Sequence, residues 1–252
     1  MSGSRGAKEE PSLNAASPEP GDPGSARPAG AAPSSDSAPR PREVAWRLFT
    51  HELTSSSVQE KGEGEKATTH VLTPLGSCVS RLLLVGTLSQ IEPLGSGAAP
   101  LWRARFTDPT GGVPVTAGSY QPRALAFLSQ AKAPLLATVV GKAHLFVGRE
   151  GVPMVSVRSE IIAPATPAEE RAWVVETARQ SLRRLALTKA VRTRGSRDPG
   201  SYPMGYPRRL VDSAIRCLDR YPGSDPERFR GPIERALEGV GKGAPVSPEA
   251  SR

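Results

Sequence analysis

Between Leu101 and Ala117 the sequence alternates polar and apolar residues on either side of a compact turn: Leu101-Trp-Arg-Ala-Arg-Phe-Thr107, then Asp108-Pro-Thr-Gly-Gly112, then Val113-Pro-Val-Thr-Ala117. A period of two sets Trp102, Ala104 and Phe106 on one face of a strand and Arg103, Arg105 and Thr107 on the other. Asp108 to Gly112 places turn formers in a row, with the Asp108 side chain shaping the turn as an acceptor. The segment is therefore a β-hairpin with an apolar face, read as core, and a cationic face.

The flanking segments supply the rest of a small barrel. A long first strand, 81–91, carries Gly86 where such a strand must bend sharply or bulge. After the hairpin, 121–130 holds Leu125, Phe127 and Leu128 in a short helix, followed by strands over 135–146 and 152–157. The order β-β-β-α-β-β is the plan of the OB-fold, a five-stranded, partly open barrel with a helix between strands three and four. The expected class is mainly β, with the barrel spanning 73–163.

Over the whole chain, 25 glycines and 26 prolines leave less of the 252 residues for packing, and one modest core is expected. Residues 1–41 are almost entirely Pro, Ala, Ser, Gly and charge, the composition of a disordered tail. Val44, Leu48, Trp46, Phe49 and Leu53 fall at helical spacing and predict a short N-terminal helix over 42–53. A polar linker, 54–72, should separate it from the barrel. Thr166-Pro167-Ala168-Glu169 is a helix start, and a long helix is expected within 164–189. A Gly/Pro/Arg linker over 190–207, amphipathic helices within 208–240 and a second disordered tail over 241–252 complete the expectation.

Composition narrows function mainly by exclusion. No apolar run approaches the length of a membrane span and no signal peptide is seen, so a soluble, cytoplasmic protein is expected. Cys78 and Cys217 lack companion ligands, which gives neither a disulfide framework nor a metal site. His51, His70 and His144 stand in unrelated contexts, and phosphate-binding loops are lacking, so neither catalysis nor a cofactor nor a small-molecule substrate is expected. The formal charge of +8 is uneven: −1 to residue 41 (four basic, five acidic), +3 over 42–163 (twelve and nine), and +6 beyond (seventeen and eleven). Such an excess suits a polyanion.

On an OB-fold the exposed face of the central strands binds ligand. Parity offers Arg103, Arg105 and Thr107 on strand two, Thr138, Lys142 and His144 on strand four, and Met154, Ser156 and Arg158 on strand five, with Arg123 as a further cation. These would follow a phosphate backbone while Tyr120, Phe146 or Met154 stack on bases. A solvated strand face is the alternative reading of Arg103 and Arg105. Arg179, Arg183, Arg184, Lys189, Arg192, Arg194 and Arg197 read as a solvated helix face and linker, or as an extension of a nucleic-acid path. In the long helix Val175, Ala178, Leu182 and Leu185, with Trp173 beside them, form a narrow apolar seam suited to contact with a partner's helix.

Arg42-Glu-Val-Ala-Trp-Arg-Leu-Phe49, Thr73-Pro-Leu-Gly76, Arg81-Leu-Leu-Leu-Val-Gly-Thr-Leu88, Arg103-Ala-Arg-Phe-Thr-Asp-Pro-Thr-Gly111, Ala117-Gly-Ser-Tyr-Gln-Pro122 and Arg171-Ala-Trp-Val-Val-Glu-Thr-Ala178 resemble, in that order, the archaeal replication protein A-associated proteins, over about 42–240. The resemblance implies a non-catalytic companion subunit of the archaeal single-stranded DNA-binding complex. Such a subunit pairs with a larger replication protein A polypeptide in DNA replication and repair and is associated with the nucleoid. The proline-rich tail lies outside the likeness. Two alternatives stay open: an assembly protein that holds a partner without touching nucleic acid, and an RNA-binding OB module, since nothing in the sequence reads a 2′-hydroxyl.

Overall fold

The computed structural model describes residues 44–62, 68–95, 99–148, 150–202 and 205–242. The tails expected at 1–41 and 241–252 lie outside them, apart from residues 241 and 242.

The chain runs extended from Val44 to Phe49 and enters a single short helix, α1 (Thr50–Thr54). Of the helix expected over 42–53, residues 44–49 are thus not helical. The Trp46 backbone instead lies beside Leu82 as a parallel bridge, donating to Arg81 O at 2.8 Å and accepting from Leu83 N at 2.8 Å. This extended entry buries Leu48 and Phe49 together, and Leu53 joins them from α1.

The expected linker 54–72 is also structured where it is described. β1 (Val58–Lys61) pairs antiparallel with β2 (Thr69–Leu72), which pairs with β3 (Cys78–Val79). The polar composition of this stretch conceals Val71 and Leu72, both buried.

Five further strands close the barrel: β4 (Arg81–Gly95), β5 (Leu101–Asp108), β6 (Gly111–Gly118), β7 (Leu135–Val147) and β8 (Pro153–Pro164), with α2 (Pro122–Gln130) between β6 and β7. Their order around the barrel is β4-β5-β6-β8-β7, and β7 returns to β4. Every contact is antiparallel except β6 on β8, where Val115 faces Val157 and Thr116 faces Arg158. That order and the parallel closure are those of the OB-fold.

β8 continues to Pro164, beyond the expected end at 157, because its second half pairs with β7. Gly86 does not bulge. A Cβ there would lie 2.3 Å from Thr107 O and 2.8 Å from the Phe106 ring, so glycine is required for close approach of β4 to β5. Register shifts between β4 and β5 fall instead between Ser89 and Glu92, where Gln90 takes φ +50°, and between Pro93 and Gly95. Leu84, Leu88, Ala104, Phe106, Val113, Val115, Val139 and Val157 fill the interior. Each large apolar side chain so buried contributes about 2 kcal/mol.

α3 (Pro167–Arg194) begins with the expected capping box, Thr166 Oγ1 accepting from Glu169 N at 3.2 Å and Glu169 Oε2 accepting from Thr166 N at 2.7 Å. It ends five residues later than expected, at Gly195 in the left-handed conformation (φ +65°). The Trp173 indole donates to Leu83 O at 2.9 Å, and its ring meets Phe49 edge-on at 5.6 Å. α4 (Arg208–Arg220) and α5 (Arg230–Gly241) pack on α3, with 3-10 turns at Pro199–Ser201 and Pro226–Phe229 preceding them.

Candidate nucleic-acid interface

Residues facing each other across a sheet project to the same side. Register therefore shows what the outer wall of the barrel displays. Arg103 on β5 faces Thr116 on β6; Thr116 faces Arg158 on β8; Arg158 faces Lys142 on β7; Lys142 faces Arg81 on β4. A single cross-strand row thus carries four cations over five strands. Arg81 was not singled out in the sequence, because its place in the row depends on the β4–β7 register.

The members of the row differ in how far they are neutralised. Arg81 pairs with Glu160, and Arg103 with Glu92, its Nε 3.0 Å from Oε1. Lys142 and Arg158 are exposed without an acidic partner among the described residues, as is Arg105 one step along β5. Arg158 Nη2 lies 2.9 Å from His144 Nε2, so the imidazole accepts and is held neutral. Burial, then the Arg158 charge, depresses the His144 pKa. The Phe146 ring continues this ladder, stacked on His144 at 6.0 Å and 24°.

A tight turn brings an aromatic ring to the same wall. Gln121 Oε1 accepts from Gly118 N at 3.1 Å, and Gln121 N donates to Gly118 O at 2.9 Å, which projects Tyr120 outward, 94 % exposed. Tyr120 and Arg123 border an open cleft of about 520 Å³ whose other wall includes Lys142, Arg158 and Glu160. Four residues proposed separately from sequence therefore share one concavity. His144 and Phe146 lie alongside it through Arg158, and Arg103 and Arg105 continue the wall toward β5. Thr107 contributes less, since its half-buried hydroxyl donates to Thr87 O at 3.3 Å. Ser156 is buried, and Met154 is exposed beside Phe146, its register partner.

The seam on α3 is used within the chain. Trp173, Ala178 and Leu185 are buried in the shared core, and Leu182 packs against it. Of the five residues expected to meet a partner, Val175 alone is largely exposed, at 47 %. A spacing of three and four identifies an apolar face without saying whose surface covers it, and here the barrel and α5 do. Arg184, read as part of a cationic flank, is also internal, with Nη2 2.7 Å from Glu52 Oε2.

Among the described residues no cluster of His, Cys, Asp or Glu could hold a metal ion. The buried Cys217 thiol, which donates to Thr73 O at 3.3 Å, has its pKa pushed up to about 12 by burial, so it is no thiolate. No described helix is long and apolar enough to cross a membrane.

No family model and no curated protein matches the chain. Among solved structures it is similar to the second single-stranded DNA-binding protein, SSBb, of Mycobacterium smegmatis, at 18 % identity and TM-score 0.30 over 34 % of this chain and 86 % of that one. It is also similar to the mitochondrial single-stranded DNA-binding protein Rim1 of S. cerevisiae, at 13 % and 0.28 over 35 % and 97 %. A third is the OBody AM2EP06 bound to hen egg-white lysozyme, at 11 % and 0.30 over 35 % and 82 %.

Proposed function

We propose that the outer wall of the barrel binds single-stranded DNA, with the strand crossing β5, β6, β8 and β7. The observation that carries this is the cation row in register with the cleft under Tyr120. Lys142, Arg158 and Arg105 supply phosphate contacts without first breaking an ion pair, and Tyr120 and Phe146 offer ring faces to bases. Arg103 joins only by releasing Glu92, which makes it a weaker contributor than its neighbours.

The finer reading, supported by the sequence resemblance, is a companion subunit to a larger replication protein A polypeptide, acting in replication and repair. With the α3 seam inside the core, that polypeptide meets another surface of this chain.

Fluorescence anisotropy of the purified chain with labelled oligo-dT, at several salt concentrations, tests the proposal. Binding should weaken with salt, and Lys142→Ala with Arg158→Ala should make the log–log slope shallower by roughly 1.4 units, about 0.7 per lost contact with a single strand. Tyr120→Ala should weaken binding about tenfold without changing the slope, since stacking contributes about 1–3 kcal/mol. Absence of binding at low salt, with or without the larger subunit, overturns the reading. Oligo-U competing as well as oligo-dT would move the assignment to RNA.

A further inference from the structure

Two arginines and a histidine lie where the C-terminal elements meet the turn of the β5–β6 hairpin. His51 on α1 donates from its backbone N to Thr110 Oγ1 at 3.2 Å, which fixes it against that turn. Its ring lies 5.4 Å from the Phe229 ring, and the exposed Arg228 guanidinium lies 4.8 Å from the centroid of Phe229. Arg235, exposed on α5, acts electrostatically on the same imidazole: burial first, then Arg228 and Arg235, lower the His51 pKa.

The acids nearby are engaged elsewhere. Glu227 holds Lys189 and Arg230, Glu234 faces Arg230, Glu238 faces Lys242, and the Asp225 carboxylate accepts from Glu227 N. Glu52 is buried against Arg184, and Asp108 is buried within the turn. Arg228 and Arg235 are therefore left without acidic partners among the described residues. Holding like charges together without a counter-ion is unfavourable, and an anion would relieve it.

This group connects with the barrel wall. Arg105 lies over Gly112, where an added Cβ would sit 3.1 Å from Nη2, and Gly111 precedes Gly112 in the turn beside Thr110. The path from Arg105 to His51 thus crosses two residues with no side chain to obstruct an approaching chain.

We propose that His51, Arg228 and Arg235 form a second phosphate-binding patch, which takes the sugar–phosphate backbone of a single strand as it leaves the barrel wall past the Gly111–Gly112 turn. This rests on the barrel binding single-stranded DNA. It lengthens the bound segment without adding base contacts.

Labelled oligo-dT of about 6 and about 25 nucleotides separates the two surfaces, the shorter filling little more than one OB face. Arg228→Ala with Arg235→Ala should leave the short oligonucleotide's affinity unchanged. It should weaken the long one several-fold, with a salt slope shallower by about 1.4 units. The double lysine replacement, Arg228→Lys with Arg235→Lys, should retain most long-strand binding. Lys142→Ala with Arg158→Ala should weaken both lengths. Both arginines are exposed, so thermal melting of the alanine variant should match the parent. If the alanine variant binds the long strand as the parent does, or loses both lengths equally, the patch is overturned while the barrel reading stands. A parent chain that binds neither length removes the barrel reading and this one with it.

Discussion

Asp108 shows how one side chain does more than its local sequence suggests. Its carboxylate is fully buried and accepts from Thr110 N at 2.7 Å, Thr110 Oγ1 at 2.7 Å and Gly111 N at 3.2 Å within the turn. It also accepts from Thr50 N at 2.7 Å and Thr50 Oγ1 at 2.9 Å, across 58 residues. Burial pushes this carboxyl above its ordinary range against the pull of the Thr110 and Thr50 donors. Asp108→Ala leaves these buried donors without an acceptor and should lower the free energy of unfolding by about 3 kcal/mol, read by urea denaturation. The turn role was legible in Asp-Pro-Thr-Gly, because such bonds join neighbours in sequence. The tie to Thr50 was not, because nothing in Phe49-Thr-His51 indicates which acceptor it faces. His144 gives the pH dependence at the same scale. Its folded pKa lies below 6.5, so the unfolded chain takes up the proton first. Its contribution to stability is complete above that value and declines as pH falls through the folded pKa. Melting temperature should therefore drop between about pH 7 and about pH 5, and less so in His144→Gln. Bound phosphate gives the imidazolium a counter-ion, so oligo-dT should bind more tightly over the same descent, with a flatter profile in the variant.

Among the elements, strands were easier to read than what joins them. β5 and β6 follow the alternation of Trp102 to Phe106 and Val113 to Ala117, since one face is core and the other is solvent. The segment 44–49 carries helical spacing yet runs extended, because the backbone of Trp46 completes hydrogen bonds beside β4. Tertiary pairing there outweighs a periodicity barely two turns long. α3 was legible in its start, but its exact end and its partner were not: the seam serves this chain's own barrel and α5. Leu182→Asp accordingly tests the element's role. On the sequence alone it should release a partner and leave the barrel folded. With Leu182 packed beside Ala178 and Leu185, it should instead destabilise the whole chain by about 3 kcal/mol or more. A variant that melts like the parent in circular dichroism would show that α3 does not hold the barrel.

Across the whole molecule the reading of independent segments joined by linkers gives way to an interlocked core. The buried Glu52–Arg184 pair joins α1 to α3, and Glu52 Oε1 accepts from Thr73 Oγ1 at 2.8 Å in the turn before β3. The Tyr221 hydroxyl donates to Leu72 O and accepts from Ser57 N at 3.0 Å and Val58 N at 3.2 Å, so the end of α4 holds β1 and β2 together. Thr188 on α3 donates to Leu75 O at 3.1 Å. Removing everything after Pro164 would uncover Phe49, whose ring meets Trp173 edge-on, and would leave the buried Glu52 carboxylate without Arg184. Breaking such a buried pair from one side costs about 3–5 kcal/mol, a large fraction of the stability of an ordinary domain. A chain of residues 42–164 should therefore aggregate or fail to melt cooperatively, whereas 42–242 should resist protease as one unit. Size-exclusion chromatography and limited proteolysis of the two chains distinguish these outcomes. A monomeric 42–164 with a cooperative transition would mean that the barrel carries its own stability, and that the C-terminal elements serve the long-strand patch rather than the fold.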